Sequence, residues 1–92
     1  MEVIWSEPAE DSLDAIVSYI ADDNLHAALE MDDLLRKAAN GLAQFPQKGK
    51  PGRIPGTREL VPHPNYVLVY LLTKESIQIV TVLHSSQQWP PE

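Results

Sequence analysis

The sequence predicts an α+β domain, a two-helix antiparallel hairpin packed on a mainly antiparallel sheet, in the order β-α-α-β-β-β. Three observations predict it. Two stretches between residues 9 and 43 carry apolar residues at helical spacing, three β-favouring runs follow between 58 and 83, and a short strand-like run precedes them all. A chain of 92 residues can build one core and has no room for a second, so residues 1–92 are read as a single domain.

Val3, Ile4 and Trp5 make the first strand, which stops at Ser6-Glu7-Pro8; proline suits the first turn of a helix because its missing N–H is an orphan there anyway. From Ala9 the apolar residues fall at Leu13, Ile16, Val17 and Ile20, one face of a helix, with Glu10, Asp11 and Asp14 on the other. Acids in that first turn also complement the positive end of the helix dipole. Asp22-Asp23-Asn24 breaks the pattern. A second stripe runs through Ala28, Met31, Leu35, Ala38 and Leu42 until Gly41, Phe45 and Pro46 end it, giving a helical hairpin over 9–43. Residues 46–57, PQKGKPGRIPGT, hold three prolines and three glycines and read as a long basic loop.

Arg58–Val61, Asn65–Leu72 and Ser76–Leu83 read as strands, with Pro62-His63-Pro64 and Thr73-Lys74-Glu75 as their turns. In the last strand, alternation places Ile77, Ile79 and Leu83 on one face and Ser76 and Gln78 on the other. In the middle strand Tyr66, Leu68 and Tyr70 alternate with Val67, Val69 and Leu71, so both faces are apolar. Either this strand is central and covered on both sides, or a partner completes its outer face.

Composition excludes several functions. There is no cysteine, which removes disulfides, thiolate catalysis and Cys-based zinc sites. His26, His63 and His84 are scattered without clustered acids, so no metal site and no cofactor is expected. No apolar run approaches the roughly 20 residues of a membrane span. The start, MEVIWSEPAED, lacks the basic and apolar segments of a signal peptide, and a soluble cytoplasmic protein is the expectation. The formal charge of -6 argues against a general nucleic-acid binder, since phosphates are held by Lys and Arg, and no direct sequence-specific DNA binding by this chain alone is expected. The charge is also divided. Residues 1–33 contain ten acids and no base, whereas 36–58 contain six bases (Arg36, Lys37, Lys48, Lys50, Arg53 and Arg58) and no acid.

The segments VIWSEPAEDSLDAIVSYI, GKPGRIPGTRELV, NYVLVYLL and IQIVTVLHSSQQWP, in this order and at this length, resemble the RelE/ParE superfamily of toxins from type II toxin–antitoxin modules, and the ParE-like branch most closely. The resemblance covers nearly the whole chain. It implies a small toxin neutralised by a cognate antitoxin that wraps it. It also offers two activities, ribosome-dependent mRNA cleavage in the RelE-like branch and poisoning of DNA gyrase in the ParE-like branch.

The two activities demand different residues. Metal-free RNA cleavage needs an acid, a base and cations around a crowded phosphate. RelE-like enzymes draw arginines from the middle strand and from just beyond the last strand, and the corresponding places here are Val67 and Gln87. With both cations missing, the expectation is a gyrase-binding toxin that is not an enzyme. The alternatives are a ribonuclease with substituted residues, for which His63, His84, Arg53 and Arg58 are the candidates, and a non-toxic homologue that only binds its antitoxin. The candidate target contacts are Lys48, Lys50, Arg53, Arg58, His84, Gln87 and Trp89, because the basic loop and the polar tail are irregular and adaptable. The antitoxin is expected to cover an apolar surface between the hairpin and the sheet edge, with Leu35, Tyr66, Leu68 and Tyr70, on the reasoning that so short a chain cannot bury both faces of its middle strand. Each candidate also has a plainer role: a turn histidine, a strand-end histidine, a core tyrosine, or an ion-paired arginine.

Overall fold

The computed structural model describes residues 1–91. Strand β1 (Glu2–Trp5) leads into helices α1 (Glu7–Ala21) and α2 (Leu25–Gly41), followed by β2 (Lys50–Pro51), β3 (Thr57–His63), β4 (Tyr66–Leu72) and β5 (Ser76–His84). The sheet order is β1-β5-β4-β3-β2; β1 runs parallel to β5 and every other pair is antiparallel. The α+β fold is as the sequence predicts. One element is added, because the basic loop contributes a two-residue edge strand at Lys50–Pro51. A short edge carrying Lys and Pro is also one that resists pairing with another chain.

Both helices start on caps. Ser6 Oγ accepts from Ala9 N at 3.1 Å and donates to Val80 O at 3.1 Å, so one hydroxyl starts α1 and ties it to β5. Asn24 Oδ1 accepts from Ala27 N at 3.0 Å and starts α2. Such caps contribute about 1 kcal/mol each. Ala9, Leu13, Leu35, Ala39 and Leu42 close the hairpin onto Leu60, Tyr66, Leu68, Tyr70, Ile77, Ile79 and Val82 of the sheet. Outside this core, the Arg36 guanidinium joins the helices by two bonds to the Glu10 carboxylate, 3.1 and 3.3 Å, and one to Asp32, 3.1 Å. It also lies over the Trp5 ring at 5.3 Å. The Glu10 hydrogen bond, with Asp32 behind it, raises the pKa of Arg36.

Two expectations about the sheet need correction. Pairing of β4 with β5 slips between Val69 and Tyr70, so Val80 is an extra, bulged residue. One extra residue reverses the side-chain parity beyond it. Ile77 and Ile79 therefore meet the helices, but Leu83 does not: Val82 takes that face, and Leu83 joins Val67 and Val69 on the other. The second correction concerns β4 itself, whose two faces are both buried within this one chain from Tyr66 to Tyr70. The helices cover one face, while Val80 and Trp89, the latter folded back from the tail, pack on the other.

Candidate functional site

The positions singled out in the sequence separate into two ends of β4, about 20 Å apart at the usual rise of a strand. At the Leu72 end the polar groups are turned inward. The Tyr70 hydroxyl donates to Pro46 O at 2.8 Å and accepts from Gly49 N at 2.9 Å. Arg58 donates from Nε and Nη2 to Gly49 O, 3.1 and 2.6 Å, and from Nη2 to Gln47 O, 3.1 Å. A Cβ on residue 49 would stand 2.7 Å from that hydroxyl and 2.8 Å from Glu59 O, so only glycine lets the loop approach. Arg53 is held as well: its Nε lies 3.3 Å from Glu59 Oε1, and its backbone N donates to Oε2 at 2.8 Å. Glu59 is a buried carboxylate, 2% exposed, and these two bonds satisfy it.

Arg53 and Arg58, candidates for phosphate or target contact, are thus committed to holding the loop. Lys48 and Lys50 are exposed and make no ion pair among the described residues. Leu35, Leu68 and Tyr70 are fully buried and Tyr66 nearly so. They fill the space between hairpin and sheet, which corrects the expectation that they line a surface for the antitoxin; a partner would have to open the core to touch them.

At the other end three rings lie side by side on adjacent strands. His63 of β3 and His84 of β5 flank Tyr66 of β4, with ring centroids 5.7 and 5.6 Å from the tyrosine; the His84 contact is edge-on. Each histidine is oriented by the chain two residues on: His63 Nδ1 accepts from Asn65 N and His84 Nδ1 from Ser86 N, both at 3.1 Å. Ser86 Oγ lies 2.7 Å from the same His84 nitrogen. Accepting a backbone N–H requires a lone pair on Nδ1, so the neutral rings carry their proton on Nε2. The row resembles an acid–base arrangement, but no salt bridge among the described residues brings a Lys or Arg to it. Arg58 is separated from His63 by most of β3, roughly 16 Å of strand.

The places where a ribonuclease of this superfamily has its arginines are also accounted for. Val67 is 4% exposed and lies in the apolar cluster with Val69, Leu83, Val80 and Trp89. Gln87 is exposed in the turn after β5, its N–H bonded to His84 O at 2.9 Å. Trp89 is half-buried, and its Nε1 is enclosed without a hydrogen-bond partner among the described residues. Among the described residues no group of three or more acids and histidines is placed to hold a metal ion, and no helix is long and apolar enough to cross a membrane.

Sequence reasoning named both histidines and left out Tyr66 as the ring that joins them. The signal was available in the pairing register, since Pro-His-Pro and the strand-end histidine bracket the first residue of β4. It also left out Phe45, read only as a helix terminator, which stands 65% exposed beside Met1 and Leu72.

Residues 3–89 match the family model described as the ParE toxin of the type II toxin–antitoxin system parDE. The protein Y4kP of Sinorhizobium fredii is 39% identical over 87 residues, covering 94% of this chain and 90% of the relative. Toxin RelE2 of Caulobacter vibrioides is 34% identical over 86 residues, covering 94% of this chain and 97% of the relative. A solved structure of the chromosomal ParDE system from P. aeruginosa superposes with a TM-score of 0.82 over 91% of this chain and 95% of that one; at 24% identity it speaks for the fold alone. With β1, the helical hairpin and the closing three strands all inside the matched span, this chain belongs to the ParE toxin family of type II toxin–antitoxin systems.

Proposed function

We propose that this toxin acts by binding and poisoning DNA gyrase, is neutralised by its antitoxin, and cuts no RNA itself. The observation that carries this reading is Val67. The middle-strand place that a RelE-like nuclease gives to an arginine is here an apolar side chain packed in a cluster with Trp89. Fixed positive charge there is worth a factor of about a hundred to a thousand in rate by analogy with single oxyanion-hole donors. Gln87 leaves the second place neutral, and Arg53 and Arg58 are spent on Glu59 and on backbone carbonyls. The end of the sheet with His63, His84 and the turn to Gln87 is the surface offered to the target, because its polar groups point outward and its backbone is irregular.

The row His63–Tyr66–His84 supports a second reading, a RelE-like ribonuclease in which the imidazoles act as acid and base without arginines. Two assays separate them. Purified protein is expected to inhibit supercoiling by gyrase, and His84→Ala or Gln87→Ala to weaken that inhibition. Mapping mRNA ends after expression is expected to find no new cuts. Discrete cuts that disappear in His84→Ala, with supercoiling untouched, would establish the nuclease instead.

A further inference from the structure

At the Leu72 end of the sheet lies an open groove of about 740 Å³, lined by Met1, Gln44, Phe45, Pro46, Gln47, Lys48 and Leu72. Its lining side chains are apolar apart from those of Gln44, Gln47 and Lys48, and Met1 adds the N-terminal ammonium, which donates to Ala43 O at 3.5 Å. Phe45 is the largest side chain in it, and 65% exposure is costly for an aromatic unless something covers it. The loop that presents Phe45 is held from behind by the Tyr70 hydroxyl on Pro46 O and by Arg58 on Gln47 O. A rigid aromatic beside an apolar wall is the arrangement found at the centre of protein interfaces, because little ordering entropy is lost on binding.

Charge says what fits. The chain carries -6 overall, and Arg36, Lys37 and Arg53 are paired with carboxylates while Arg58 is bonded to carbonyls. The cations left without a partner among the described residues are Lys48, Lys50 and Lys74. Lys48 lines the groove, Lys50 follows it by two residues, and Lys74 follows Leu72 by two. The nearest acids in sequence, Glu2 and Glu75, do not line it. The tip of the hairpin, where Tyr19, Leu25 and Leu29 are also exposed, is surrounded instead by Asp22, Asp23 and Glu30.

We infer that this groove is the seat of an acidic, amphipathic segment of the antitoxin, an apolar side chain packing on Phe45 and Leu72 and carboxylates meeting Lys48, Lys50 and Lys74. The inference rests on the reading that an antitoxin neutralises this chain, and the experiment keeps the two apart. The antitoxin is titrated onto the full-length toxin and onto Phe45→Ala, the triple variant Lys48→Ala/Lys50→Ala/Lys74→Ala, and Leu29→Ala at the hairpin tip. Circular dichroism verifies that each variant is folded. Phe45→Ala is expected to weaken binding by at least about thirtyfold, as a hot-spot aromatic does. The lysine variant is expected to lower the association rate severalfold and to flatten its dependence on salt, and Leu29→Ala is expected to bind as the unaltered toxin does. Hydrogen exchange, which needs no substitution, is expected to slow at residues 44–49 and 72–74 in the complex. Full affinity in Phe45→Ala, or protection confined to residues 19–29, overturns the groove while leaving neutralisation intact. Failure of the unaltered toxin to bind overturns both.

Discussion

The two ends of β4 are built from similar residues put to opposite uses. At the Leu72 end, a tyrosine hydroxyl and an arginine fork are turned onto the chain itself, fixing the carbonyls of residues 46, 47 and 49. At the Tyr66 end, two histidines take one backbone N–H each at Nδ1, and among the described residues no group bonds their Nε2. A polar side chain saturated by buried backbone is structural whatever its charge; one held only by its own turn keeps its chemistry available. By that criterion Arg58 and Tyr70 build the fold, and His63 and His84 are the rings we propose as contacts for the target.

The comparison breaks most visibly at Tyr70. Replacing it with phenylalanine keeps the ring and removes both bonds, leaving Gly49 N–H and Pro46 C=O without their partner. Unpaired buried groups cost about 1–3 kcal/mol each, so a loss of about 2–4 kcal/mol is expected in urea unfolding. For a domain of this size that is a fall in Tm of roughly 10–25 °C. A loss below about 1 kcal/mol would show that water replaces the hydroxyl and that the loop is not fixed from behind, which would weaken the groove as a preformed seat.

What the sequence made legible follows the same division. Local periodicity was enough for the hairpin, because Leu13, Ile16, Val17 and Ile20 mark a helix without reference to anything distant. The alternation of Tyr66 through Leu72 was equally plain. What covered its second face was not, since Trp89 comes from a polar tail some twenty residues on and reaches Val67 and Val69 only in three dimensions. The bulge at Val80 was hidden for another reason: a bulge needs no special residue, and the run Ser76–Leu83 is β-favouring throughout. Charge told only half the story at Arg53 and Arg58. A sequence displays the cation and conceals the carbonyl or carboxylate that occupies it.

Trp89 provides the intermediate test, because it belongs to neither pattern. Its ring packs on the second face of β4, yet its indole N–H is enclosed and has no partner among the described residues. Trp89→Ala is expected to lose about 2–3 kcal/mol with the apolar contact. Trp89→Phe gives up some contact area but also removes the orphan donor, and because the two effects oppose each other a net change within about 1 kcal/mol is expected. Thermal melts of the pair measure the difference. Equal, large losses in both would mean that the N–H has a partner in solution, such as a bound water.

The smallest effect on stability is expected at the histidines, and there smallness carries the meaning. His84 is exposed, and its Nδ1 is bonded only by Ser86, the N–H at 3.1 Å and the hydroxyl at 2.7 Å, in a turn that water can reach. His63 is half-buried, lines a cleft with Ala27, Met31 and Leu34 of α2, and accepts from Asn65 N at Nδ1. Removing either leaves a donor that solvent can satisfy, so the exposed His84→Ala should fall within about 0.5 kcal/mol of the unaltered toxin, and the half-buried His63→Ala within about 1 kcal/mol. Tyr66 stays covered by the hairpin and the core around it, so the edge-on ring contact is lost without opening a cavity. If His84→Ala keeps its Tm and loses gyrase inhibition, the ring serves the target and the two ends of β4 differ as described. A loss above about 1.5 kcal/mol would place His84 with Tyr70 and Arg58 among the groups that hold the chain together, and the contrast between the ends would disappear.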